Sequence, residues 1–212
     1  MSVKNKVIIF RSCIDLETKY TRDWGGAVVE KLRSEGVQVE DYVDNQASPD
    51  NFVKALKDFD PFAIFIFDHG DEYNIYGEEG NKIASLLNIN NAELTKGRSV
   101  AVLACTSVKH LGLKCIEEGC IVYDGYDTHY NFYSIKPYLS AFKECGTEIF
   151  IKLAEGKTFQ EGHESAQNKM QQFIQIWITS PPNLYAPYAI AAMLQNMLHH
   201  KQLGDGSVSI KP

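Results

Sequence analysis

What this chain lacks narrows its class before any motif is read. No apolar run approaches the roughly 18 residues needed to span a bilayer, so a membrane is not an expected partner. There is no basic excess: 21 Lys and Arg stand against 27 Asp and Glu, a formal charge of −6, which disfavours direct nucleic-acid binding. The five cysteines are an odd set without a compact disulfide spacing, and the stretch from Met1 to Phe10 carries no signal-peptide features. A reducing, cytoplasmic setting is therefore expected. No repeat, low-complexity tract or linker divides the 212 residues, which are read as one domain, 1–212. No glycine-rich turn follows the first apolar run, where Arg11-Ser12-Cys13 stands instead, and this argues against a flavodoxin-like nucleotide domain.

What is present is an alternation of short apolar runs with helical periodicities. Lys6–Phe10 and Val37–Val43 read as strands, with a helix carrying Trp24, Ala27, Val28 and Leu32 between them and ending at Gly36. Ser48-Pro49 is a helix start, a serine N-cap followed by proline at the first helical position, with Phe52, Val53 and Leu56 as the apolar face. The runs from Pro61 to Phe67 and from Ser99 to Ala104 are continuously apolar, too short for helices and suited to strands buried on both faces. Asp68–Gly80 is expected as a loop or exposed hairpin, and Ile83–Leu94 fits a short helix with turns at Asn88–Asn91. Ser107–Glu118 is expected to be helical, Cys120–Tyr123 a strand, and Asp124–Tyr133 an aromatic, polar loop. Helices follow at Tyr138–Glu155, from the Thr158/Glu161 capping box to about Ile178, and from Pro187 to His200, with an edge strand at Val208–Ile210. The expected fold is α/β: a doubly wound, mostly parallel sheet flanked by helices.

Two central runs end on chemistry. His69-Gly70 follows the first and Cys105 the second, and in a parallel sheet the carboxyl ends of neighbouring strands share the edge where ligands bind. A thiol and an imidazole brought together there suit nucleophilic catalysis, with a helix after Cys105 expected to favour its thiolate. Gly70 permits close backbone approach, and its N–H and that of Cys105 are natural oxyanion donors. Cys105, His110, Cys115 and Cys120 recur at steps of five, about 140° apart on a helix, so they do not converge on a zinc ion and no metal is expected. His199-His200 is expected at the surface or capping the negative end of its helix, and the methionines and aromatics of 170–197 in the core.

Asp68-His69-Gly70 and Ala104-Cys105-Thr106-Ser107 resemble the paired motifs of the caspase-like (clan CD) cysteine peptidases. Gly77, Leu111-Gly112, the stretch from Glu118-Gly119 to Gly125-Tyr126, and Leu203-Gly204-Asp205 with Ser207 resemble the gingipain and CHAT-domain branch. The resemblance implies a caspase-like sheet and a cofactor-free cysteine endopeptidase, with Cys105 as nucleophile and His69 as general acid/base. It implies Gly70 and Cys105 as the oxyanion hole, a protein or peptide substrate, and control by a regulatory partner, self-cleavage or expression. By analogy it suggests a role in stress or defence. Asp124, Tyr126 and Asp127, after the strand next to that of the nucleophile, are the candidate substrate-binding residues, with an acidic pocket favouring Lys or Arg before the cut. Asp15 and Glu78-Glu79 are weaker candidates for that pocket. The alternative is the same fold as a catalytically latent regulatory or binding subunit.

Overall fold

The computed structural model describes residues 4–80, 82–181 and 183–211. Five parallel strands form the body of a six-stranded sheet: β1 (Lys6–Arg11), β2 (Gln38–Val43), β3 (Ala63–Phe67), β6 (Ser99–Leu103) and β7 (Val122–Tyr126). β8 (His200–Gly204) closes one edge antiparallel to β7, giving the order β2-β1-β3-β6-β7-β8. A separate antiparallel hairpin, β4 (Asn74–Glu79) with β5 (Lys82–Asn88), lies over one face.

β3 shows why its run has no polar break. Period-two alternation sends Ala63, Phe65 and Phe67 to one face and Ile64 and Ile66 to the other, and both faces are covered. The first face packs under α1 (Leu16–Ser34), α4 (Tyr138–Ala154), α5 (Phe159–Thr179) and α6 (Ala186–His199). There the Phe65 ring meets Phe150 edge-on at 5.0 Å. The second face packs under α2 (Pro49–Asp58), the hairpin and the short α3 (Leu113–Glu117). No helix among the described residues is long and apolar enough to cross a membrane.

The helix signals read from sequence hold. Ser48 Oγ accepts the Asn51 N–H ahead of Pro49, and Thr158 and Glu161 form a reciprocal capping box. Several boundaries differ. Ile83–Leu94 is not helical at its start: β5 occupies Lys82–Asn88, and only Ala92–Thr95 forms a 3-10 turn. The helix after Cys105 begins with a π-helical turn, Val108–Gly112, before α3. The expected strand at Cys120–Tyr123 is shifted to Val122–Tyr126, which carries Asp124 into the sheet instead of a loop. The closing edge strand is β8, and Ser209 makes only an isolated bridge to Thr158. Val53 faces solvent, with Ala55 taking its place in the core.

Gly77 has a packing explanation. A Cβ there would run into the Ala47 carbonyl oxygen, which accepts the Glu78 N–H, and into the Leu86 side chain. Gly77→Ala is therefore expected to lift the hairpin from the segment before α2 and cost about 1–3 kcal/mol, read as a lowered denaturation midpoint with an unchanged slope.

Candidate active site

Parallel register places three chain ends side by side. Arg11 pairs with Phe67, and Phe67 with Leu103, so the residues after β1, β3 and β6 emerge on one edge. This is also where strand order reverses, since β2 lies to one side of β1 and β3 to the other. Ser12 and Asp15 come from the first end, Asp68, His69 and Gly70 from the second, and Cys105 from the third.

Asp15 has two tasks. It is the N-cap of α1, with Oδ1 accepting the Thr18 N–H at 2.9 Å, while Oδ2 lies 2.5 Å from His69 Nε2. Burial pushes its pKa up, but the Thr18 N–H and His69 outweigh this and hold it below the ordinary aspartate value. The carboxylate thus fixes the imidazole against a helix terminus. The sequence offers Asp15 only as a weaker candidate for the substrate pocket; the signal for its place here is the Asp-x-x-Thr pattern opening a helix.

Asp68, 4% exposed, accepts from Ser12 Oγ at 2.5 Å and from the His69 backbone N–H at 2.8 Å. Burial pushes its pKa up to about 7, against the pull of these donors. It tethers the β3 end to the β1 end and shapes the turn carrying His69.

Cys105 and His69 line one pocket, open to solvent, whose walls include Thr18, Leu103, Tyr130 and Phe132. Burial raises the Cys105 thiol above its ordinary pKa, and the Tyr130 backbone N–H on the sulfur offsets part of that. The expectation of a helix-favoured thiolate is therefore corrected: a π-turn follows the cysteine, and desolvation dominates. Thr106, next to Cys105, has φ of 51°, a conformation costly for a β-branched residue, and its N–H donates to Thr128 O. Gly70 lies against the Cys105 turn, where an added Cβ would come within 2.9 Å of the Cys105 carbonyl oxygen. Neither the Gly70 nor the Cys105 backbone N–H finds an acceptor among the described residues.

The candidate substrate residues lie elsewhere. Asp124 is 1% exposed, gripped by His163 Nδ1 at 2.7 Å and His200 Nε2 at 2.6 Å. Tyr126 is buried, stacked on His200 at 4.8 Å, and Asp127 pairs with His199 at 2.6 Å. None of the three lines the pocket with Cys105. His200 does stand at the C-cap of α6, but it is buried and begins β8, so the surface position expected of it is corrected. From the aromatic cluster, Tyr130 and Phe132 reach the pocket, while Tyr133 packs on Phe142. Glu78 and Glu79 sit on the hairpin.

No family model matches the chain, and no curated protein matches it in sequence. Solved structures do resemble it. The Arg-specific cysteine proteinase gingipain R superposes with a TM-score of 0.65 at 11% identity, covering 97% of this chain and 47% of that one. The complex of the pro- and mature domains of the same proteinase from Porphyromonas gingivalis gives 0.64 at 12% identity, covering 97% and 48%. The chain thus spans just under half the length of these proteins and shares their caspase-like fold, a mostly parallel sheet flanked by helices.

A pH test follows from Asp68. Its folded pKa lies above the unfolded value of about 3.9, so its ionisation costs stability. The cost is absent below pH 4, grows as pH rises, and is complete above about 7. Asp68→Asn, which cannot ionise, is expected to gain thermal stability relative to the parent as pH rises from 4 to 8. A difference in Tm that stays flat across that range would show that the carboxyl is not desolvated.

Proposed function

We propose that this chain is a cysteine peptidase in which Cys105 is the nucleophile, His69 the general acid/base, and Asp15 the residue that orients His69. The observation that carries the reading is the meeting of a thiol and a carboxylate-held imidazole in one pocket at the carboxyl edge of a caspase-like sheet. Asp15 engages Nε2 and leaves Nδ1 for proton transfer. His69 takes the thiol proton as sulfur attacks the scissile carbonyl carbon. The oxyanion accepts the N–H groups of Gly70 and Cys105. Proton delivery from His69 to the amine breaks the C–N bond, and water then cleaves the thioester through the same base.

Protein or peptide segments are the proposed substrates. A preference for Lys or Arg before the cut does not rest on Asp124, whose oxygens are both occupied. It rests on the pocket itself, which carries the Glu17 carboxylate and no Lys or Arg, whereas both oxygens of Asp68 are taken by Ser12 and the His69 N–H. That lining suits basic or neutral side chains and disfavours acidic ones. A second reading, a latent subunit switched on by a protein partner, is favoured by the desolvated thiol, since burial works against the nucleophilic form.

Peptidyl electrophiles bearing Arg, Lys, Leu or Asp next to the warhead test both readings, with mass spectrometry locating the adduct. Labelling is expected at Cys105, slowest with Asp, and abolished in Cys105→Ala. It is expected to fall by about 10²–10⁴-fold in His69→Ala, with a smaller loss in Asp15→Asn. Labelling only in lysate selects the latent subunit. Failure of Cys105 to react under either condition, while other thiols do, overturns the peptidase reading.

A further inference from the structure

A second cluster of titratable side chains lies apart from the pocket. Asp124 comes from β7, His200 from β8 and His163 from α5. Strand geometry explains the convergence: β8 pairs Tyr126 with His200 and Asp124 with Gln202, so these four side chains share one sheet face, and the diagonal neighbour of Asp124 is His200. α5 covers that face. Its buried stripe of Phe159, Gly162, Ala166 and Met170 has His163 in phase, so its imidazole meets the carboxylate from above.

We infer that Asp124, His163 and His200 form a binding site for one divalent ion of the zinc class. Their ligand atoms all lie within 4.8 Å of one another, the only such grouping among the described residues. Two imidazoles and a carboxylate are the donors that zinc takes in three-ligand sites, where a fourth position stays open. The Gln202 side chain, 3.3 Å from Asp124 Oδ2, flanks the group. Charge points the same way. The Asp124 carboxylate is desolvated in the sheet, and the two rings facing it have centroids only 4.2 Å apart. One dication between them would satisfy the carboxylate and both rings together. His163, 18% exposed, provides the route in from solvent. Ligand spacing had pointed away from metal because it was sought among the cysteines, whereas this set is assembled from strand register and helix phase.

The test uses the intact protein, stripped with chelator and titrated with Zn²⁺ or Co²⁺. One equivalent is expected to bind, with Co²⁺ giving intense visible d–d bands and no near-ultraviolet thiolate charge transfer. His163→Gln, at a half-buried helix position, is expected to keep the far-ultraviolet circular dichroism and weaken binding beyond the ~10–100-fold typical of outer-shell losses. Asp124→Asn is expected to do the same. The absence of stoichiometric uptake by the parent protein overturns the site and leaves a hydrogen-bonded brace. Uptake that persists in His163→Gln, or that vanishes in Cys115→Ser, overturns it as well. Metal content and spectra are independent of peptidase activity, so this result and that of the labelling experiment stand separately.

Discussion

The register of β1, β3 and β6 is the constraint on which the rest depends. Because the three strands run parallel and in step, their last residues are neighbours, and whatever follows them is delivered to one place. That register is itself a consequence of burial on both faces. A slip of one residue in β3 would exchange Phe65 and Phe67 with Ile64 and Ile66, sending aromatic rings into the side shaped for the hairpin and α2. The geometry around His69 and Cys105 is thus inherited from apolar packing several residues away.

On that frame the protein places carboxylates where desolvation is costly, and each is compensated differently. Asp15 is the least buried and is offset by a helix terminus and an imidazole. For Asp68 burial outweighs the Ser12 and His69 backbone donors, so its pKa rises. Asp124 is the most deeply placed and has two histidines. The direction in which each carboxyl titrates is set by whether its donors and partners outweigh its burial.

Much of this was readable in the sequence, for physical reasons. The uninterrupted runs Ala63–Phe67 and Ser99–Leu103 announce doubly covered strands, and a residue directly after such a strand has only one edge to occupy, which is why His69, Gly70 and Cys105 were legible. Asp124 and Tyr126 were misread because Val122–Tyr126 contains an aspartate and a glycine, residues poor in strands, and tertiary pairing with two histidines overrides that propensity. His163 left only its phase on an amphipathic helix as a trace. Lys82–Asn88 was ambiguous because a hairpin lying across another layer exposes part of each strand and shows no clean period.

The cluster around Asp124 also bears on the order in which the chain is assembled during synthesis. β1, β3, β6 and β7 leave the ribosome before α5 and β8, so Asp124 enters the growing sheet well ahead of His163 and His200. Until both arrive, closing β7 into the sheet would bury a carboxylate without a partner, at a cost of several kcal/mol. The Tyr130 segment, whose N–H reaches the Cys105 sulfur, follows β7 directly in the chain. The segments that hold β7 in place, α5 and β8, are thus tied through the chain to the surroundings of the Cys105 thiol, on the far side of the same strand.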